Sequence, residues 1–203
     1  MTPPLDPFHQ PPPAATGLRA ALFIDLAGVL LDAAPNSRPH GGQLGGQLPG
    51  LRGGVGAALR LLDRLDYRIV VLAPCALDRR QAGHGMPARI ADLLARERVA
   101  LAGCLCCEAS SAPCAACPPD PALLLQAAQE HGLALTASWL LARHTHHLAA
   151  GRRAGCRTIL VGDGEDAWPA QPLSGGAINS PAAYQARDIV DAALAIVRLD
   201  GER

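Results

Sequence analysis

The chain has 203 residues, with 18 basic against 18 acidic side chains and a formal net charge of zero. That length suits one compact domain, and the even scatter of charge excludes the concentrated cationic surface that nucleic acid requires. No apolar run of about 18 residues is present, so a membrane-spanning helix is excluded too.

Residues 1–17, which include Pro11-Pro12-Pro13, carry too little apolar surface to offset the entropy of ordering and are expected to form a disordered tail. The N-terminus lacks the charged-then-apolar build of a signal peptide, so a cytoplasmic location is expected. Leu18 to Ile24 reads as a buried strand ending in Asp25 and a turn at Gly28, where open α/β sheets put their chemistry. The glycine-rich stretch from Asn36 to Gly56 predicts a mobile excursion. Ala58, Leu59, Leu61, Leu62 and Leu65 then recur at helical spacing over Val55 to Leu65, and Arg68 to Leu72 reads as a second buried strand.

A helix follows over Pro87 to Arg98, then a short strand over Ala100 to Ala102. Asp120 is placed to cap a helix whose first residue is Pro121, and Gly132 ends that helix. Ser138 to Ala142 reads as a strand, Thr145 to Ala154 as a helix stopped by Gly155, and Arg157 to Val161 as a further strand. A last amphipathic helix spans Ala186 to Leu199. The alternation predicts one α/β domain over residues 18–203, a doubly wound, mostly parallel sheet with helices on both faces.

Three motifs carry chemistry. Asp25-Leu26-Ala27-Gly28-Val29-Leu30 follows the first strand; Val70-Val71-Leu72-Ala73-Pro74-Cys75 ends the second; Leu141-Ala142-Arg143-His144-Thr145-His146-His147 ends the strand before the 145–154 helix. A cysteine-rich segment, Cys104-Leu105-Cys106-Cys107 and then Cys114-Ala115-Ala116-Cys117, precedes Pro118-Pro119. Together these resemble the haloacid dehalogenase (HAD) superfamily of phosphatases, and within it the zinc-loop heptose-bisphosphate and histidinol-phosphate phosphatases. The resemblance spans about Leu18 to Val197 and implies a HAD-like domain with a zinc-binding loop and no large cap. It also implies hydrolysis of a sugar bisphosphate or similar small phosphomonoester through an aspartyl-phosphate on Asp25.

Several positions depart from the family pattern. The first motif resembles Asp-x-Asp-Gly but has Ala27 where the second Asp, the general acid/base, belongs. Leu72 stands where a Ser or Thr hydroxyl meets the phosphate. The family lysine cannot exist here, because all 18 basic residues are Arg, and Pro118 and Pro119 fill its place. Arg143 aligns with a magnesium carboxylate and His147 with the other. An arginine repels a divalent cation, so the usual magnesium site is expected to be absent. If Arg143 and Asp25 lie on adjacent strand ends, the guanidinium pairs with the carboxylate, an attraction of about 4 kcal/mol at about 4 Å before desolvation.

His144 and His147 share a helix face at i, i+3, with no carboxylate nearby in sequence, so the three histidines are expected to be solvated or capping groups. Cys104, Cys106, Cys114 and Cys117 form two close pairs that suit a structural zinc, with Cys107 competing for the place of Cys106 and reduced thiols in a loose loop as the plain alternative. Cys75 is more simply a packed apolar group than a nucleophile. The function expected is that of a phosphatase-like protein, catalytically impaired, binding a small phosphorylated sugar or a protein partner as a monomer. One alternative is a working hydrolase recruiting Asp32, Asp78 or Asp163 for metal; another is a zinc- or redox-responsive binding protein.

Overall fold

The computed structural model describes residues 17–31, 50–73, 85–105, 118–162 and 184–200. Strands β1 (Ala21–Asp25), β2 (Arg68–Leu72), β3 (Leu101–Leu105), β4 (Trp139–Ala142), β5 (Arg157–Val161) and β6 (Tyr184–Ala186) alternate with helices α1 (Val55–Asp63), α2 (Met86–Arg96), α3 (Ala122–His131), α4 (Thr145–Arg153) and α5 (Ile189–Asp200). The strands form one sheet in the order β3-β2-β1-β4-β5-β6, and each pairing is parallel. The expected doubly wound α/β architecture is thus present, with β1 central and Asp25 at its carboxyl end. Among the described residues no helix is long and apolar enough to cross a membrane.

The apolar run of β1 is buried throughout because both its faces are covered. Leu22 and Ile24 join the core built with Val55, Leu59 and Leu62 of α1, Ile90 and Leu94 of α2, and Ile196 of α5. Ala21 and Phe23 point the other way, to Leu124 and Ala127 of α3 and Leu148 and Ala150 of α4. Each large aliphatic group so buried contributes about 1.5–3 kcal/mol. On the second face α4 lies hard against β4 and β5: a Cβ on Gly151 would sit 2.9 Å from Leu140 Cδ2 and 3.1 Å from Thr158 Cγ2. That close approach packs the C-terminal half of α4 against the amino halves of β4 and β5.

The elements differ from the sequence expectation mainly at their ends. Leu18 to Ala20 lie outside β1; Arg19 instead brackets Leu133, donating its N–H to the Gly132 carbonyl and accepting from the N–H of Ala134. Asp120 Oδ1 accepts from the Ala122 N–H at 2.8 Å, and Gly132 ends α3 with φ 62°. The final helix begins at Ile189 rather than Ala186, because Asp188 Oδ1 caps it through the N–H of Asp191 at 2.8 Å, leaving Tyr184–Ala186 to pair with β5 as an edge strand. The proposed tail falls almost wholly outside the described residues, as do Cys106, Cys107, Cys114 and Cys117.

The opposite, amino edge of the sheet is held by one carboxylate. Asp200, at the end of α5, accepts from Trp139 Nε1 at 2.9 Å, from Arg157 Nη1 at 2.5 Å and Nη2 at 2.8 Å, and from the Tyr67 hydroxyl. The Arg157 guanidinium also lies 4.0 Å from the centroid of the Trp139 ring. Burial and the carboxylate push the Tyr67 hydroxyl up to about 12, while Asp200 itself is held well below the usual carboxylate range because those hydrogen bonds outweigh the burial that opposes its charge. Its stabilising effect is complete above about pH 3.9 and fades as pH falls toward its depressed value in the fold. Asp200→Ala is expected to cost about 3 kcal/mol in urea unfolding at neutral pH, since it strands Arg157, Tyr67 and Trp139; a loss under about 1 kcal/mol would show that α5 is anchored by its apolar face alone.

Candidate functional site

The site grows from the turn that follows β1. Pairing with β2 continues one residue past Asp25, where the Leu26 N–H donates to the Leu72 carbonyl at 2.9 Å. The chain then folds back: Gly28 donates to the Leu31 carbonyl at 2.8 Å and Leu31 to the Leu26 carbonyl at 3.0 Å. Gly28 takes φ 82°, a conformation that strains any residue with a Cβ. Arg52, just ahead of α1, donates from Nη1 to the Gly28 carbonyl at 2.5 Å and pins the turn. Leu72 is the β2 partner of Asp25 in register, so an apolar side chain does stand beside Asp25 where the resembling family has a hydroxyl.

Asp25 is the one charged side chain that is fully buried among the described residues. Its Oδ2 lies 2.7 Å from His147 Nδ1, and the two side chains keep 2% and 18% of their exposure. The expectation that His147 is solvated or capping, with no carboxylate near, is therefore overturned: the sheet brings together residues 122 positions apart. Burial works against a charged ring, but the Asp25 carboxylate outweighs it by charge and by hydrogen bond, so the imidazole binds its proton more tightly than a free one. His144 and His146 stay close, their rings stacked 5.4 Å apart, and the His146 ring lies 4.3 Å from that of His147.

Arg143 flanks the same turn. A Cβ on Gly28 would fall 2.6 Å from Arg143 Cδ, and one on Gly162, which has φ 98°, would fall 3.2 Å from Nη1. Gly28 thus leaves room for the arginine stem, and the positive φ of both glycines disfavours any residue with a Cβ there. Arg143 runs along the Gly28 and Gly162 turns that follow β1 and β5, at the end of the sheet where Asp25 also lies.

Among the described residues the strand ends bring one carboxylate, Asp25, toward the place a magnesium ion would take. The ion takes oxygen ligands, usually from one or two carboxylates, and the Oδ2 of Asp25 is engaged by the His147 imidazole. Among the described residues no group of three or more His, Cys, Asp or Glu side chains is placed to hold a metal ion. Asp32, Asp78, Asp163 and Cys75 lie outside the described residues. Of the predicted zinc ligands only Cys104 is described, half-buried near the end of β3 and packed against the core, with a thiol chemically suited to zinc. Cys156, by contrast, is buried in apolar surroundings that push its thiol up to about 12, which makes it inert.

Comparison with known proteins bears on fold alone. No family model and no curated protein matches the sequence. Among solved structures, D,D-heptose 1,7-bisphosphate phosphatase from B. bronchiseptica, complexed with magnesium and phosphate, is similar with TM-score 0.66 at 18% identity, over 89% of this chain and 99% of its own. An uncharacterized protein from Listeria monocytogenes serotype 4b gives TM-score 0.66 at 15% identity, over 90% of this chain and 99% of its own. The cobalt-bound deoxy-D-mannose-octulosonate 8-phosphate phosphatase from Haemophilus influenzae gives 0.56 at 13%, over 90% of each chain. The chain has the fold of the HAD-superfamily phosphatases. Its similarity in that fold extends to the D,D-heptose 1,7-bisphosphate phosphatases.

Because the proton on His147 is held more tightly in the fold than in the unfolded chain, its contribution to stability is whole below about pH 6.5 and is lost as pH rises through the elevated folded value. Histidine ring NMR is expected to show His147 titrating above about 6.5, and Asp25→Asn, which leaves burial unopposed, to bring it below that value. The same variant should flatten the fall in urea midpoint as pH rises above about 6.5. A wild-type ring titrating at or below the ordinary value would contradict the pairing.

Proposed function

We propose that this protein is a HAD-type, phosphatase-like protein that has lost magnesium-dependent phosphoryl transfer and keeps its carboxylate as a structural and electrostatic group. One observation carries the reading: Asp25 Oδ2 is taken by His147 Nδ1 at 2.7 Å. A nucleophilic carboxylate needs a cation that can also hold the phosphate oxygens, and a ring on Oδ2 neutralises the acid without offering coordination. Ala27 supports it, since no proton donor is available there for a leaving group, and so does Leu72. A contact of Arg143 with Asp25 belongs to the same proposal. So does a structural zinc on Cys104, Cys106, Cys114 and Cys117, and so does the cytoplasmic, monomeric state. The ligand is a small phosphorylated sugar bound without turnover.

The purified full chain, assayed with magnesium on a heptose bisphosphate and on p-nitrophenyl phosphate, is expected to show no metal-dependent release of phosphate. Magnesium-dependent turnover that disappears in Asp25→Asn would instead establish a working phosphatase with rearranged ligands.

A further inference from the structure

Helix α5 has one face in the core and one in water. Ile189, Ala192, Ala193 and Ile196 are buried. At about 100° per residue, Val190, Leu194 and Val197 recur on the opposite side at i, i+4 and i+7. Val190 and Leu194 are 37% and 54% exposed, and Val197 is half-buried at the margin of the core. The Val190 flank of this row adjoins α1, where a Cβ on Gly54 would fall 2.6 Å from Val190 Cγ2. On the other flank stand Asp191 and the exposed Arg198, seven residues and so about two turns apart. Asp191 meets its own Arg187 through Nε at 3.4 Å, an exposed ion pair that can be exchanged at little cost.

This face is complementary to itself. We propose that α5 is the interface of a twofold dimer of this chain, the two helices packed antiparallel with Leu194 against Leu194 at the centre. An axis crossing between positions 194 and 195 sets Asp191 of each copy beside Arg198 of the other, so one operation forms two ion pairs. It also joins the two apolar flanks, with Val190 of each copy near Val197 of the other. A parallel arrangement would set the charged flank against that apolar flank. The occupant is therefore a second copy, which carries the reversed order of base and acid by symmetry alone. An interface built on one helix face is small, below the standard size of about 1,600 Å², so association is reversible, with a dissociation constant between about 10 μM and 1 mM. The monomer is the dilute form of this equilibrium.

Sedimentation velocity of the full chain from about 1 μM to about 1 mM is expected to show the mass rising from the 21.0 kDa of one chain toward twice that value. Leu194→Glu places a charge at the centre in both copies and should raise the dissociation constant at least about 100-fold. Asp191→Arg and Arg198→Asp should each raise it about 10-fold, because each sets like charges together at both ends. An equimolar mixture of those two variants should associate as the wild type does, since the mixed pair again has an acid opposite a base at each end. A single-chain mass over the whole range, an unchanged constant in Leu194→Glu, or a mixture that associates no better than its components would overturn the pairing. The wild-type series and the mixing comparison stand even if Leu194→Glu fails to fold. Neither magnesium nor a phosphate ester enters, so the outcome is separable from the loss of phosphoryl transfer.

Discussion

A carboxylate that is 2% exposed at the end of a central strand must be neutralised, and the way this is done decides what the sheet edge can do. Here the counter-charge is a proton shared with an imidazole. A metal ion would neutralise the same acid while leaving coordination sites for a phosphate; a ring nitrogen satisfies one oxygen and supplies no coordination site. The remaining features of the edge agree with that choice. Leu72 beside Asp25 gives no hydrogen bond, Ala27 gives no proton, and Arg143 adds a fixed positive charge that a divalent ion would have to overcome.

The fold makes the pairing possible by position rather than by local sequence. β1 and β4 are neighbours in register, so the residues after Ala142 emerge beside Asp25. Gly151 lets the C-terminal half of α4 lie against Leu140 and Thr158, while His147 in its first turn reaches the Asp25 carboxylate. Gly28 and Gly162 give room for the Arg143 side chain at the same edge. On the far edge, Asp200 ties α5 to β4 and β5 through Trp139 and Arg157. The two ends of the sheet thus differ: buried Asp25 pairs with His147 at one, and partly buried Asp200 anchors α5 at the other.

Much of this architecture was legible in the sequence. The apolar run into Asp25, the helical spacing of Leu59 and Leu62, and Gly132 and Gly155 as stops all correspond to elements that formed, because each signal is local. β6 was not legible: it is three residues long, its last residue Ala186 reads as the start of the amphipathic helix, and the capping by Asp188 sets the true start at Ile189. His147 was missed for a different reason. Its spacing to His144 suggested nothing but a helix face, and Asp25 is 122 residues away. The signal was nonetheless present, since His147 aligns with a site carboxylate of the resembling family and so should face Asp25. The permanent charge of Arg143 drew the pairing expectation to itself.

A binding experiment tests the central claim most directly: titrating magnesium into the protein at neutral pH while following the His147 ring resonances by NMR. If a proton-bearing imidazole is what neutralises Asp25, the ring signals and their titration midpoint will stay fixed at saturating magnesium. Should the ion displace the ring from the carboxylate, the midpoint would drop as the counter-charge is withdrawn, and the account would be wrong.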